Sequence, residues 1–167
     1  KNGATLFYGN QQSAASVEDS GAELRDRIEQ IIRETGCGKV NIIAHSKGGL
    51  DARYAVSRLG MDRYVASLTT VNTPHRGCAY ADYLLDKAPD KLRASLAGGY
   101  NATLRRLGDK DPDFLAAIQS LTAGGCAALN AETPDKEGVW YQSVASKLNQ
   151  ATGGKFPLNM SYLLVRH

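Results

Sequence analysis

Cysteine is scarce and never closely spaced: Cys37, Cys78 and Cys126 stand far apart, which excludes CxxC redox chemistry and ribbon-type zinc sites. Their odd number leaves buried or unpaired thiols as the expected state. No apolar run approaches the roughly 20 residues that a membrane-spanning helix needs, and Lys1 to Asn10 lack the basic, apolar and small-residue order of a signal peptide. A soluble chain is expected. Its compartment is left open, because a leader preceding Lys1 would make it secreted. An excess of charge of one sign is also missing. The 20 lysines and arginines are interspersed with 17 acids for a net charge of +3, which excludes the electrostatic footprint of a nucleic-acid binder. Internal repeats and low-complexity tracts are absent too. What remains is a chain of 167 residues, 43% hydrophobic, enough for one ordinary core.

Strand and helix signals alternate through the first half. Gly3 to Tyr8 is rich in strand formers and closed by Gly9-Asn10, so it predicts an opening strand. Ser20 and Glu23 have capping-box spacing, and Leu24, Ile28, Ile31 and Ile32 share one face of a helix that Gly36 and Gly38 stop. Lys39 to Ala44 is mostly apolar, as strands covered on both faces are. A helix carried by Leu50, Tyr54, Val56 and Leu59 follows, and Tyr64 to Val71 predicts the next strand. This alternation predicts an α/β fold with a mostly parallel sheet and ligands beyond the carboxyl ends of its strands.

From Ala79 to about Asn130 the pattern changes to short helices with breaks at Pro89, Gly98-Gly99, Gly108 and Pro112. Their apolar residues include Leu84, Leu85, Leu92, Leu96, Leu104, Leu107, Phe114, Leu115, Ile118 and Leu121. These suit either ordinary packing or the cover of an acyl-chain cleft. Val139 to Ala145 predicts a late strand, and Tyr162 to Val165 begins another short element. Asn101-Ala102-Thr103 matches a glycosylation acceptor but falls in an expected helix, where such triplets arise by chance.

Ala44-His45-Ser46-Lys47-Gly48 sits where a buried strand should end and a helix begin, and it fits the pattern G-x-S-x-G with alanine first. A sharp strand-to-helix turn of this kind projects the serine hydroxyl from the sheet edge and asks for small neighbours two residues away on either side. Ser46 is the candidate nucleophile. Lys47 is expected to act through its main chain, its N–H at the helix start supplying half of an oxyanion hole. His45 is too close along the turn to reach the hydroxyl and is read as packing. No acid at a strand end separates His75 from Ser46, as the order Ser, acid, His would require, and His75 is read as a hydrogen-bonding group that supports the structure or the site. Asp51 and Arg53 are read as an ion pair or anchor in the helix.

Ile43 to Tyr54 resembles the elbow and following helix of bacterial triacylglycerol lipases of the α/β-hydrolase superfamily. Leu68-Thr69-Thr70-Val71-Asn72-Thr73-Pro74-His75-Arg76-Gly77 resembles their next strand with its TPH-x-G loop. The resemblance implies a Ser-Asp-His triad, carboxylic-ester substrates of lipid type with contact at a lipid interface, no organic cofactor, and a lid where the helical insertion stands. Structural calcium occurs in some such lipases, but no cluster of acids in this sequence earns a ligand assignment. Read this way, residues 1–167 are one partial α/β-hydrolase domain, with a core of 1–78 and 138–167 and a helical insertion of 79–137. No second oxyanion loop precedes the elbow, and only His167 follows the late strand as a base, which makes it no credible triad member. An internal fragment is therefore expected, inactive alone and completed by the remaining segments of the same enzyme. Thioesterases and acyltransferases share the elbow. The alternative from another class is a non-catalytic module that keeps the turn for its geometry and binds a ligand or partner.

Overall fold

A computed structural model describes residues 3–147. Helix α1 (Val17–Thr35) precedes strand β1 (Val40–His45), helix α2 (Gly48–Arg58), a 3-10 turn and strand β2 (Val65–Val71). Four helices, α3 (Ala79–Asp86), α4 (Asp90–Leu107), α5 (Phe114–Ser120) and α6 (Ala123–Glu132), lead to strand β3 (Trp140–Val144). The strands pair in parallel in the order β1-β2-β3, so each connection is a helical crossover. This is an α/β fold with a small parallel sheet and flanking helices, incomplete beside a full α/β-hydrolase sheet.

α1 begins one turn earlier than its capping-box signal predicts. Ser16 is the N-cap and its hydroxyl accepts from the Asp19 N–H at 3.0 Å, while Ser20 is fully buried and donates to the Gln12 carbonyl. Both serines satisfy the spacing rule, and burial decides between them. Leu24, Ile28 and Ile31 face inward as expected. They meet Ala52, Ala55 and Val56 of α2 and Val65 and Leu68 of β2 in the main core. At the far end, Gly36 takes the left-handed conformation (φ 68°) and its N–H caps the Ile32 carbonyl.

The predicted opening strand does not form: residues 4–10 lack regular pairing, and Leu6 and Tyr8 are exposed. Arg27 of α1 holds this segment instead, donating to the Tyr8 carbonyl at 3.0 Å with its guanidinium over the Phe7 ring. β1 also departs from expectation. Its burial alternates along the strand, with Val40, Ile42 and Ala44 against the core and Asn41, Ile43 and His45 exposed. α1 and α2 share one face of the sheet; among the described residues the other face is uncovered. There Ile43 is 78% exposed, Trp140 70% and Val144 53%. The expected element at Tyr162 to Val165 lies outside the described residues.

Three of the crossover helices, α3, α4 and α5, form a core of their own from Ala81, Leu84, Ala88, Ala97, Phe114 and Ile118. Gly98-Gly99 does not break α4, because neither residue takes a positive φ and helix propensity costs there are only about 1 kcal/mol each. The Asn101 carboxamide accepts from the Phe114 N–H and its ring neighbour Tyr100 stacks on Phe114 at 4.5 Å, which gives the Asn101 triplet a packing role. Cys126 and Leu129 of α6 join Val17 and Leu50 in a small third cluster that ties this layer to α1 and α2. All three cysteines are free, as expected. Among the described residues, no single helix is long and apolar enough to cross a membrane.

Candidate active site

β1 ends at His45 and α2 starts at Gly48, so the chain reverses over Ser46 and Lys47. Ser46 has φ 54°, in the left-handed region. Among the described residues the other non-glycine residues there are Asn10 and Asn72, and asparagine tolerates that conformation through local hydrogen bonds. Serine has no such preference, and its placement costs on the order of 1–3 kcal/mol that neighbours must offset. They do so from β2. The Ser46 N–H donates to the Val71 carbonyl at 2.9 Å. The Ser46 carbonyl accepts from the Gly49 N–H at 3.1 Å and from the Thr73 hydroxyl at 2.8 Å.

The steric demand for a small residue falls on Gly49 rather than Gly48. A Cβ at Gly49 would lie 2.1 Å from Thr73 Oγ1, whereas one at Gly48 would meet only the far end of Gln11 at 3.8 Å. Among the described residues, the N–H groups of Lys47 and Gly48 have no hydrogen-bond acceptor. Both stand at the start of α2, where the helix dipole is positive.

The Lys47 side chain has a role that sequence reasoning missed. It is 7% exposed, and its ammonium donates to Asp51 Oδ1 at 2.7 Å, to the Ser20 hydroxyl at 3.0 Å and to the Ser16 carbonyl at 3.4 Å. Asp51 therefore pairs with Lys47, not with Arg53. Asp51 is 2% exposed, and burial pushes its carboxyl up to about 6 against the opposing pull of Lys47, with Glu18 adding to the rise. The pattern that could have shown this is the i,i+4 spacing of Lys47 and Asp51, which places them on one helix face.

His45 lies on the exposed sheet face, next to Ser46 along the chain. His75 sits in the loop after β2 with both ring nitrogens engaged. Arg53 can only donate, so Nδ1, 3.3 Å from its Nη1, accepts, and Nε2 donates to Thr70 Oγ1 at 3.0 Å. Burial and the Arg53 charge lower the His75 pKa. Arg53 further donates to Asn130 Oδ1 and the Thr133 carbonyl, while Asn130 donates back to the His75 carbonyl. Thr70 continues the chain to Ser143 at 2.8 Å. This network, which borders a pocket of about 210 Å³, fixes the loop after β2 to α6 and β3. His167 lies outside the described residues. Among the described residues, no group of His, Cys, Asp or Glu side chains is arranged to hold a metal ion, and the Ser46 hydroxyl has no side-chain partner.

Residues 8–94, more than half of the chain, match the family model described as "Putative serine esterase (DUF676)". The chain belongs to that family. Its matched segment runs from before α1 to α4 and contains the β1–α2 turn, β2 and the Thr73 to Gly77 loop. Among curated relatives, a triacylglycerol lipase of Pseudarthrobacter phenanthrenivorans is 33% identical over 143 residues, covering 80% of this chain and 44% of that protein. A triacylglycerol lipase of Burkholderia plantarii is 33% identical over 143 residues, covering 80% of this chain and 39% of that protein. The chain thus spans less than half the length of these relatives. Among solved structures, the mature lipase BlEst2 of Bacillus licheniformis superposes with a TM-score of 0.58 at 26% identity, over 78% of this chain and 48% of that one. Family membership and fold together relate the chain to the lipases and esterases of the α/β-hydrolase group.

Proposed function

We propose that the β1–α2 turn is the nucleophile elbow of a serine carboxylic-ester hydrolase, with Ser46 as the nucleophile and a triacylglycerol or similar lipid ester as the substrate. The observation that carries this reading is the left-handed Ser46 at a strand-to-helix turn, beside N–H groups free to bind an oxyanion. Ser46 Oγ attacks the ester carbonyl carbon as a base takes its proton, and the carbonyl oxygen becomes an oxyanion held by the Lys47 N–H. The base returns the proton to the departing alcohol, and water then attacks the acyl-enzyme to release the acid and free Ser46.

His75 does not serve as this base, since its nitrogens are committed to Arg53 and Thr70. The reading assigns the acid, the base and the second oxyanion donor to parts of the protein beyond residues 1–167, which makes residues 1–167 inactive alone. The names of the lipase relatives support the substrate class. The helices α3 to α6 are the lid-like insertion of this reading, and among their described side chains Leu92, Tyr100 and Leu115 are large apolar groups left exposed.

A chain-length series of p-nitrophenyl esters tests this on the full-length protein. Hydrolysis of at least one member is expected, with a preference for longer acyl chains, and Ser46→Ala should lower kcat by on the order of 10³-fold or more. Hydrolysis unchanged by Ser46→Ala would refute the assignment. No hydrolysis at all would favour a binding module that keeps the turn only for its backbone geometry.

A further inference from the structure

The two sequence blocks of the site, Ala44 to Leu50 and Leu68 to Gly77, meet at one contact that their separate motifs do not explain. Thr73 stands 27 residues beyond Ser46, yet its hydroxyl donates to the Ser46 carbonyl at 2.8 Å. Its side chain fills the space over Gly49, where a Cβ would come within 2.1 Å of Oγ1, 2.8 Å of Cγ2 and 2.9 Å of Cβ. Threonine at 73 and glycine at 49 are therefore a matched pair. We propose that Thr73 is a positioning residue that locks Ser46 in its left-handed conformation by clasping its carbonyl, with Gly49 as the opening that lets it reach.

The physical argument rests on where the strain sits. In the left-handed conformation the Ser46 carbonyl is turned toward Gly49 and Thr73, and it accepts from both. Rotation of Ser46 to an ordinary backbone conformation would re-aim that carbonyl and break both bonds. A neutral hydrogen bond of this kind is comparable with the lower range of the strain it opposes. Thr73 is itself held from behind, because its carbonyl accepts from the His75 N–H and His75 is fastened by Arg53 and Thr70. The clasp thus connects the serine turn to the rigid β2–α6–β3 network. Its consequence is geometric: without it the hydroxyl samples orientations from which attack is unproductive, and misplacement by about 1 Å costs on the order of 100-fold in rate.

The test rests on the serine-hydrolase reading for its activity arm and is independent of it in its second arm. In the full-length protein, Thr73→Val removes the donor at similar volume and Thr73→Ser retains it. Thr73→Val should lower kcat and the rate of fluorophosphonate labelling by on the order of 10- to 100-fold with KM nearly unchanged. Thr73→Ser should stay close to wild type. Should the valine variant fail to fold, Thr73→Ala takes its place. Hydrogen exchange over residues 43–52 decides the clasp whether or not the serine reacts. Thr73→Val should speed exchange there and Thr73→Ser should not. Equal behaviour of the valine and serine variants, in either direction, would overturn the inference. A wild-type protein that neither labels nor hydrolyses esters, but shows the exchange difference, would defeat the hydrolase reading and leave the clasp standing.

Discussion

At the scale of single residues, Lys47 and Asp51 carry the sharpest energetic consequences. Lys47→Met removes one partner of a buried pair and leaves a buried carboxyl, which should cost on the order of 3 kcal/mol and lower Tm accordingly. Lys47→Met with Asp51→Leu should recover most of that loss, since a buried pair only partly repays its own desolvation. The pH dependence follows from Asp51, whose carboxyl is raised from 3.8 to about 6 by burial against Lys47, with Glu18 adding to the rise. A raised acid contributes stability that is complete below its unfolded value and lost as pH climbs through the folded one. Wild type should therefore lose stability relative to Asp51→Asn between about pH 4 and 6. Denaturant unfolding at several pH values checks this, and parallel curves for the two proteins would contradict it. The place of Ser46 in the fold was legible in sequence, because a local pattern at a strand end marks it. Thr73 and the Ser20 partner of the Lys47 ammonium were not, because each lies 27 residues from the group it binds, whereas the Asp51 partner stands at a legible i,i+4 spacing.

Among elements, glycine separates two kinds of position that look alike in sequence. Gly77 has φ 90°, and a Cβ there would fall 2.5 Å from the Ala123 Cα, so Gly77→Ala should cost more than about 2 kcal/mol by thermal or denaturant unfolding. Gly98 lies inside α4 with open space around it, so Gly98→Ala should stabilise by roughly 0.5–1 kcal/mol. Alternation of strand and helix signals revealed α1, β1, α2, β2 and β3: the helices through an apolar face of helical period, the strands through short runs of strand formers. The opening strand at Gly3 to Tyr8 failed for a reason that propensity does not contain: a strand needs a neighbour, and Arg27 fastens this segment to α1 instead. β1 was read as covered on both faces, but its apolar residues do not all point inward and Ile43 faces out.

For the whole molecule, the sheet is covered on one side by α1 and α2, while Ile43, Trp140 and Val144 line the other. The proposal that remaining segments of the enzyme complete the fold assigns them to this face. Trp140 is the single tryptophan of the sequence, so its fluorescence reports on that face directly. Iodide should quench it readily in residues 1–167 alone and poorly in the full-length protein with every tryptophan but Trp140 replaced by phenylalanine, where equal quenching would count against cover of this face. The central claim concerns Ser46, and it is tested most directly by treating the full-length protein with a fluorophosphonate and mapping the modified peptide. The account predicts a single adduct on Ser46, lost in Ser46→Ala. An adduct on any other residue, or none on the folded protein, would contradict it.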